Sequence, residues 1–274
     1  MDVIQQLPFP DEICHKIVLY ACKSPHTGLA VDVLKNKLNM DVLNLPEKDE
    51  DVTWIHKYQI IDYTSRDAID IYFYTLFKNL TSINLSGTDV YGDIVHFNTV
   101  PNLTNIYLSD TDVYGDIVHL KSLTNLTTIG LNQTGVTGDI IHLKSLTNLA
   151  YIELGDTGVT GDIQYLKSLT NLTEFWFGST GVTGDIVHLK SLPSLTWVAL
   201  SHTGVTGDIL HIKSLHNLTN IYLTDTNVTG DIDNLKSPTS LTNIFLGDTD
   251  VYGDKEAFHE YRETAGLPEC YILM

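Results

Sequence analysis

The chain has 274 residues, of which 43% are hydrophobic, and its 34 acidic residues outnumber 16 Lys and Arg to give a net charge of −18. The apolar fraction supports a folded core, and the charge disfavours binding to nucleic acid or to anionic membrane surfaces. Since neither a membrane-length apolar run nor a secretory signal is visible, we predict a soluble protein of the cytoplasm, with the nucleus as the alternative.

Residues 1–76 carry no repeat and are predicted to form a helical N-terminal capping domain. Asp11 can cap a first helix, and a third helix, beginning near Thr64, is expected to lead into the next segment. The opening Leu-Pro-Phe-Pro-Asp-Glu-Ile at residues 7–13 resembles the start of an F-box, a helical module that docks on the Skp1 adaptor of ubiquitin ligases. The resemblance implies a Skp1-like partner, whereas the favoured alternative is a plain cap over the repeats that follow.

A Gly-Asp pair then recurs eight times at a fixed period of 23 residues. The pairs begin at Gly92, Gly115, Gly138, Gly161, Gly184, Gly207, Gly230 and Gly253. Apolar residues lead into a short strand in each unit, a Thr and a Val are expected to turn the chain, and an Ile and a Leu mark the return path. Because one unit cannot bury its apolar residues alone, the units are predicted to stack into a solenoid with a continuous parallel sheet.

The repeated frame Leu-x-x-Leu-x-x-Ile-x-Leu-x-x-Thr-x-Val-x-Gly-x-Ile resembles the leucine-rich repeat, with Thr at the usual Asn position. The resemblance covers residues 77–254 and implies an α/β solenoid. Its expected form is a right-handed superhelix with a parallel concave β-sheet, a helical N-terminal cap and a C-terminal capping helix. Residues 255–274 are predicted to supply that cap, as a helix of about ten residues followed by one edge strand.

Two columns of outward side chains flank the inward Ile of each predicted strand, and these columns vary between repeats where the rest is nearly constant. The candidate partner-binding residues on this concave face are Tyr107, Tyr151, Glu153, Trp176, Trp197, Tyr222 and Phe245, edged by Asp156, Asp225 and Asp248. Exposed aromatic rings are typical anchors of protein interfaces, and carboxylates beside them suit a basic or Arg-bearing partner. We therefore predict a non-enzymatic protein–protein interaction module.

Four alternatives to this prediction stay open. The rings could merely cover one another, or the same face could bind carbohydrate. The chain could instead be an F-box-like substrate adaptor, or a structural assembly subunit of a larger complex.

The Asp of each Gly-Asp pair is followed three residues later by His in five repeats, which raises a metal site. Capping of a short helix explains the Asp better, because hard cations need more converging oxygens than one carboxylate per repeat. The Thr column from Thr88 to Thr249 is expected to bond backbone groups of adjacent turns. With no catalytic motif and no phosphate-binding or dinucleotide loop, we expect neither enzymatic activity nor a cofactor.

Overall fold

The structure, a computed structural model, describes residues 60–62, 70–76 and 80–274. Most of the predicted N-terminal cap, including the F-box-like segment, lies outside the described residues. The predictions made for it therefore stay untested, as do the domain boundaries at residues 76 and 254.

Each 23-residue coil contains two short strands and one 3₁₀ helix. In one central coil these are Tyr151–Glu153, Gly158–Asp162 and Ile163–Ser168. The predicted turn at Val159 is wrong, because this residue is the buried second residue of the second strand. Its neighbours Gly158 and Thr160 are exposed, so burial alternates along the strand as it does in a half-buried sheet. Val159 and Thr160 are also β-branched, which favours a strand.

Among the described residues, ten strands form the first sheet, in which each strand pairs in parallel with that of the next coil. They are Ile60–Asp62, Ser82–Asn84, Asn105–Tyr107, Thr128–Gly130, Tyr151–Glu153, Glu174–Trp176, Trp197–Ala199, Asn220–Tyr222, Asn243–Phe245 and Tyr271–Leu273. In the same described part of the chain, eight strands form the second sheet, which is also parallel. They are Tyr91–Asp93, Asp112–Asp116, Gly135–Asp139, Gly158–Asp162, Gly181–Asp185, Gly204–Asp208, Asn227–Asp231 and Asp250–Tyr252.

The 3₁₀ helices follow one another along the stack and complete the enclosure of the core. They span Ile71–Leu76, Ile94–Thr99, Ile117–Leu120, Ile140–Leu143, Ile163–Ser168, Ile186–Ser191, Ile209–Ser214 and Ile232–Lys236. The Ile, Leu and Val side chains from all three elements form one buried cluster that reaches from Ile71 to Ile272. Stacking thus gives each coil the apolar cover that it lacks alone.

The register of the first sheet places equivalent residues of successive coils side by side. Tyr151 pairs with Glu174, and Glu153 pairs with Trp176. In the second sheet, paired residues are separated by two residues fewer in sequence than in the first sheet, since Gly181 pairs with Thr160. Paired residues there are not equivalent positions of successive coils. Only the first sheet therefore presents columns of equivalent residues on directly adjacent strands.

The Gly-Asp pair joins each coil to the next. Asp162 accepts a hydrogen bond from the backbone N–H of Gln164 at 2.8 Å and so caps its 3₁₀ helix, as predicted for this column. Gly161, just before it, has φ of +113°, and a Cβ there would collide with the carboxylate of Asp139 in the preceding coil. Glycine is therefore required by the backbone angle and by the neighbouring cap together.

The Thr column closes the bend after each first-sheet strand. Thr157 donates its hydroxyl proton to the carbonyl of Leu154 at 2.5 Å, and its equivalents do the same. The expectation that these hydroxyls bond backbone groups of adjacent turns is wrong. The sharp bend instead brings each hydroxyl to the carbonyl three residues earlier in the same coil. The column stabilises the shape of each coil rather than its stacking.

The coil pattern continues ahead of the recognisable repeats. Ile60–Asp62 extends the first sheet, and Asp70, which lies 23 residues before Asp93, accepts a hydrogen bond from the N–H of Tyr72 at 2.8 Å. Ile71 and Tyr74 are buried at the positions that Ile and Leu take in later coils. Residues 60–62 and 70–76 thus take coil positions, although Ile69 stands in the sequence where later coils have the glycine.

At the other end, helix α1 (Lys255–Thr264) begins at its cap residue Asp254 and packs against the last 3₁₀ helix. Its Phe258 and Arg262 are buried, and the Arg262 guanidinium donates to the carbonyls of Leu241 at 2.6 Å and Pro268 at 3.1 Å. Tyr271–Leu273 then pairs with Asn243–Phe245 as the edge strand of the first sheet.

The coupling between glycine and cap can be measured by substitution. We expect Gly161→Ala to lower the free energy of unfolding by about 1–3 kcal/mol through backbone strain alone. The collision of the new Cβ with the Asp139 carboxylate should lower it further. Gly247→Ala is the matched control, since a Cβ there meets only a methyl group at 3.7 Å. Equal denaturation midpoints for the two variants in urea would contradict the coupling.

Candidate functional site

The predicted partner-binding aromatic residues lie together on one face of the first sheet, here called the first-sheet face. They flank the fully buried Ile or its equivalent in each strand, and the side chains on this face are mostly half-buried. Strand alternation explains the placement, since residues on either side of an inward residue point to the opposite side.

Five rings on this face stack into a continuous row, here called the aromatic ladder. Its members are Trp176, Trp197, Tyr222, Phe245 and Tyr271. Successive ring centroids are 5.1, 5.5, 4.6 and 5.4 Å apart, and the first three pairs are within 12–19° of parallel. These distances suit aromatic contacts, so the rings do cover one another in part, and the ladder presents ring edges along its length.

The ladder draws its rings from both columns. Trp176 and Tyr222 come from one column, in which Ala199 stands between them. Trp197, from the other column, stacks on both of these rings. Sequence reasoning missed Tyr271, because it follows α1 and is out of phase with the 23-residue period.

The ladder stops at Trp176, where carboxylates begin. Glu153 lies on the adjacent strand directly beside Trp176, and Glu174 lies beside Tyr151. The Tyr151 hydroxyl donates a hydrogen bond to Oε2 of Glu153 at 3.2 Å. Burial first, and then the charge and hydrogen bond of Glu153, raise the pKa of Tyr151 well above its ordinary value.

Tyr107 is separated from the ladder. Its ring carbon Cδ1 lies 3.5 Å from where a Cβ of Gly130 would be, so the ring leans over this glycine. The strand of Glu153 lies between the strands of Gly130 and Trp176. Glu153 therefore stands between Trp176 and the glycine over which the Tyr107 ring leans.

The backbone conformation helps to explain why aspartate occurs at the predicted rim positions. Asp156, Asp225 and Asp248 are exposed and have φ between 52° and 55°, as do their equivalents in other coils to within a few degrees. Asp tolerates this left-handed conformation better than most residues. Asp225 also contacts His202 at 3.1 Å, so the acidic rim is explained partly by the bend it occupies.

Other site types find no support in the part of the chain that the structure describes. No group of three or more His, Cys, Asp or Glu side chains within it converges as metal ligands would. Nor does any helix among these residues have the length and apolarity needed to cross a membrane.

Comparison with known proteins shows the fold. No protein-family profile matches the chain, and no curated protein matches its sequence. Among solved structures, the leucine-rich repeat ectodomain of the Arabidopsis thaliana receptor kinase GASSHO1/SCHENGEN3, in complex with CASPARIAN STRIP INTEGRITY FACTOR 2, aligns with a TM-score of 0.61 at 20% identity. The alignment covers 69% of this chain and 23% of that ectodomain.

Two further structures are similar to this chain. The plant peptide hormone receptor RGFR1, in complex with RGF2, gives a TM-score of 0.60 at 25% identity, with 69% of this chain and 31% of that one covered. Internalin C2 of Listeria monocytogenes gives 0.58 at 19% identity, with 81% and 91% covered. The chain spans less than a third of the two plant receptors, and its fold is the leucine-rich repeat solenoid, as its sequence predicts.

The raised pKa of Tyr151 predicts a pH effect. A tyrosine whose pKa is higher in the folded than in the unfolded state contributes stability that is present below pH 10 and is lost as pH rises further. We expect stability to fall less steeply above pH 10 in Tyr151→Phe than in the wild type, measured by urea denaturation at successive pH values. Parallel pH profiles would contradict the assigned environment of Tyr151.

Proposed function

We propose that the protein is a non-enzymatic binding module that holds a protein partner with a basic surface on the first-sheet face. The observation that carries the proposal is the aromatic ladder, which is continued at one end by the carboxylates of Glu153 and Glu174. Stacked rings lose little conformational entropy on binding, and they offer apolar area to a partner.

The arrangement of the solenoid supports this choice of face. Sequence differences between coils concentrate in the columns of the first sheet, while the core and the Gly-Asp pairs repeat almost unchanged. An extended partner lying across the strands would therefore meet a different side chain at each coil. Of the two plant receptors similar in fold, one is in complex with CASPARIAN STRIP INTEGRITY FACTOR 2, and the other, described as a peptide hormone receptor, is in complex with RGF2.

Two further hypotheses stay predictions. An F-box-like adaptor would use the Leu7–Ile13 segment, which lies outside the described residues. A structural assembly subunit would be recovered in a stable complex with a fixed ratio of subunits and with little free monomer. The carboxylates at the end of the ladder support recognition of a basic protein surface.

The test is affinity purification from native cell extract, comparing the wild type with Trp176→Ala/Trp197→Ala. We expect the double variant to weaken the captured partner by about 2 kcal/mol or more, which is roughly 30-fold in Kd. Binding of the purified partner is then measured by calorimetry, and circular dichroism checks that the variant is folded.

The matched control is Tyr114→Ala/Tyr252→Ala, which removes two rings that are 52% and 62% exposed on the second sheet. This control should retain the partner. Equal affinity of all three proteins would contradict the proposed face. Recovery of Skp1 with all three would instead support the adaptor hypothesis.

A further inference from the structure

Trp176 differs from the inner members of the ladder in its ring contacts. Trp197, Tyr222 and Phe245 each contact a ring on both sides. Among the described residues, Trp176 makes a ring contact with Trp197 only. The adjacent strand on its other side carries Glu153 in place of a ring. The ladder therefore ends in an indole that has one ring neighbour and a carboxylate beside it.

The negative charge at this end has no counter-ion within the described part of the chain. Within the described residues the Glu174 carboxylate makes no hydrogen bond or ion pair, and the Glu153 carboxylate bonds only the neutral Tyr151 hydroxyl. Glu153 and Glu174 are diagonal neighbours on adjacent strands, since Glu153 pairs with Trp176 and Tyr151 pairs with Glu174, so their long side chains can reach one bound cation. The two negative charges repel each other, and a partner's cation would relieve the repulsion.

We propose that this end of the ladder is a subsite for one arginine side chain of an extended partner segment, and the proposal rests on the function proposed above. The guanidinium stacks on Trp176 and donates hydrogen bonds to Glu153 and Glu174. The rest of the segment runs along the ring edges towards Phe245. The subsite fixes both the chemistry and the direction of the partner.

Arginine fits better than lysine for a geometric reason. The rings of the ladder lie within 19° of parallel as far as Phe245, so a planar guanidinium continues the stack where an ammonium group cannot. Its forked donors also match carboxylate oxygens in pairs. At the opposite end, Tyr271 shares an open pocket with Lys255 as well as Glu269, so the charge there is offset.

The experiment uses N-acetyl-arginine amide as a probe, with N-acetyl-citrulline amide and N-acetyl-lysine amide as matched comparisons. The indole N–H signal of Trp176, assigned by its loss in Trp176→Phe, is followed by NMR at low salt. We expect saturable shifts with the arginine probe and binding of the citrulline and lysine probes that is weaker by about fivefold or more. Glu153→Gln/Glu174→Gln should abolish the preference for arginine, and Tyr271→Ala should keep it.

Equal shifts with arginine and citrulline, or an unchanged preference in the Gln variant, would overturn the subsite. Equal binding of the lysine probe would overturn the choice of a planar cation. Binding of the natural partner to the two sets of variants distinguishes a failure of the subsite from a failure of the function proposed above. If the Gln variant binds that partner as tightly as the wild type while Trp176→Ala/Trp197→Ala does not, the subsite fails and the binding face stands.

Discussion

The whole stack depends on one repeated contact, that between the capping carboxylate of one coil and the glycine of the next. Asp139 caps its own 3₁₀ helix, and its carboxylate occupies the space where a side chain on Gly161 would be. The same contact recurs along the stack at the 23-residue period. Because the contact leaves no room for a side chain between coils, the coils approach closely enough for backbone hydrogen bonds such as that from the N–H of Thr173 to the carbonyl of Ala150, which hold the first sheet at the 23-residue register.

The aromatic ladder is a consequence of that register. First-sheet strands keep equivalent residues side by side, so two varied columns become two rows of neighbouring side chains. Ala199 supplies no ring between Trp176 and Tyr222, and Trp197 of the other row stacks on both and keeps the ladder continuous. A charged residue at Glu153 ends it. The surface is thus determined by single substitutions on an invariant frame, which is how a repeat scaffold can acquire a specific partner without a change in its core.

The solenoid, its parallel first sheet and the capping role of Asp could be predicted from sequence, since an exact period and the alternation around Ile leave few alternatives. The second sheet could not, because Gly-Val-Thr-Gly looks like a turn until the neighbouring coil supplies pairing partners. Trp176, Trp197, Tyr222 and Phe245 were predicted on one face, but their stacking depends on ring orientations that periodicity does not encode. Tyr271 lies outside the period and is brought to the ladder only by α1 and the edge strand.

The central claim, that the first-sheet face is where a protein partner binds, is tested most directly by site-specific photocrosslinking. A benzoylphenylalanine replaces either Tyr222 on the ladder or Tyr114 on the second sheet, and each protein is irradiated in native cell extract. The account predicts a discrete crosslinked protein from position 222 and none of that mass from position 114. The same product from both positions, or from position 114 alone, would contradict it.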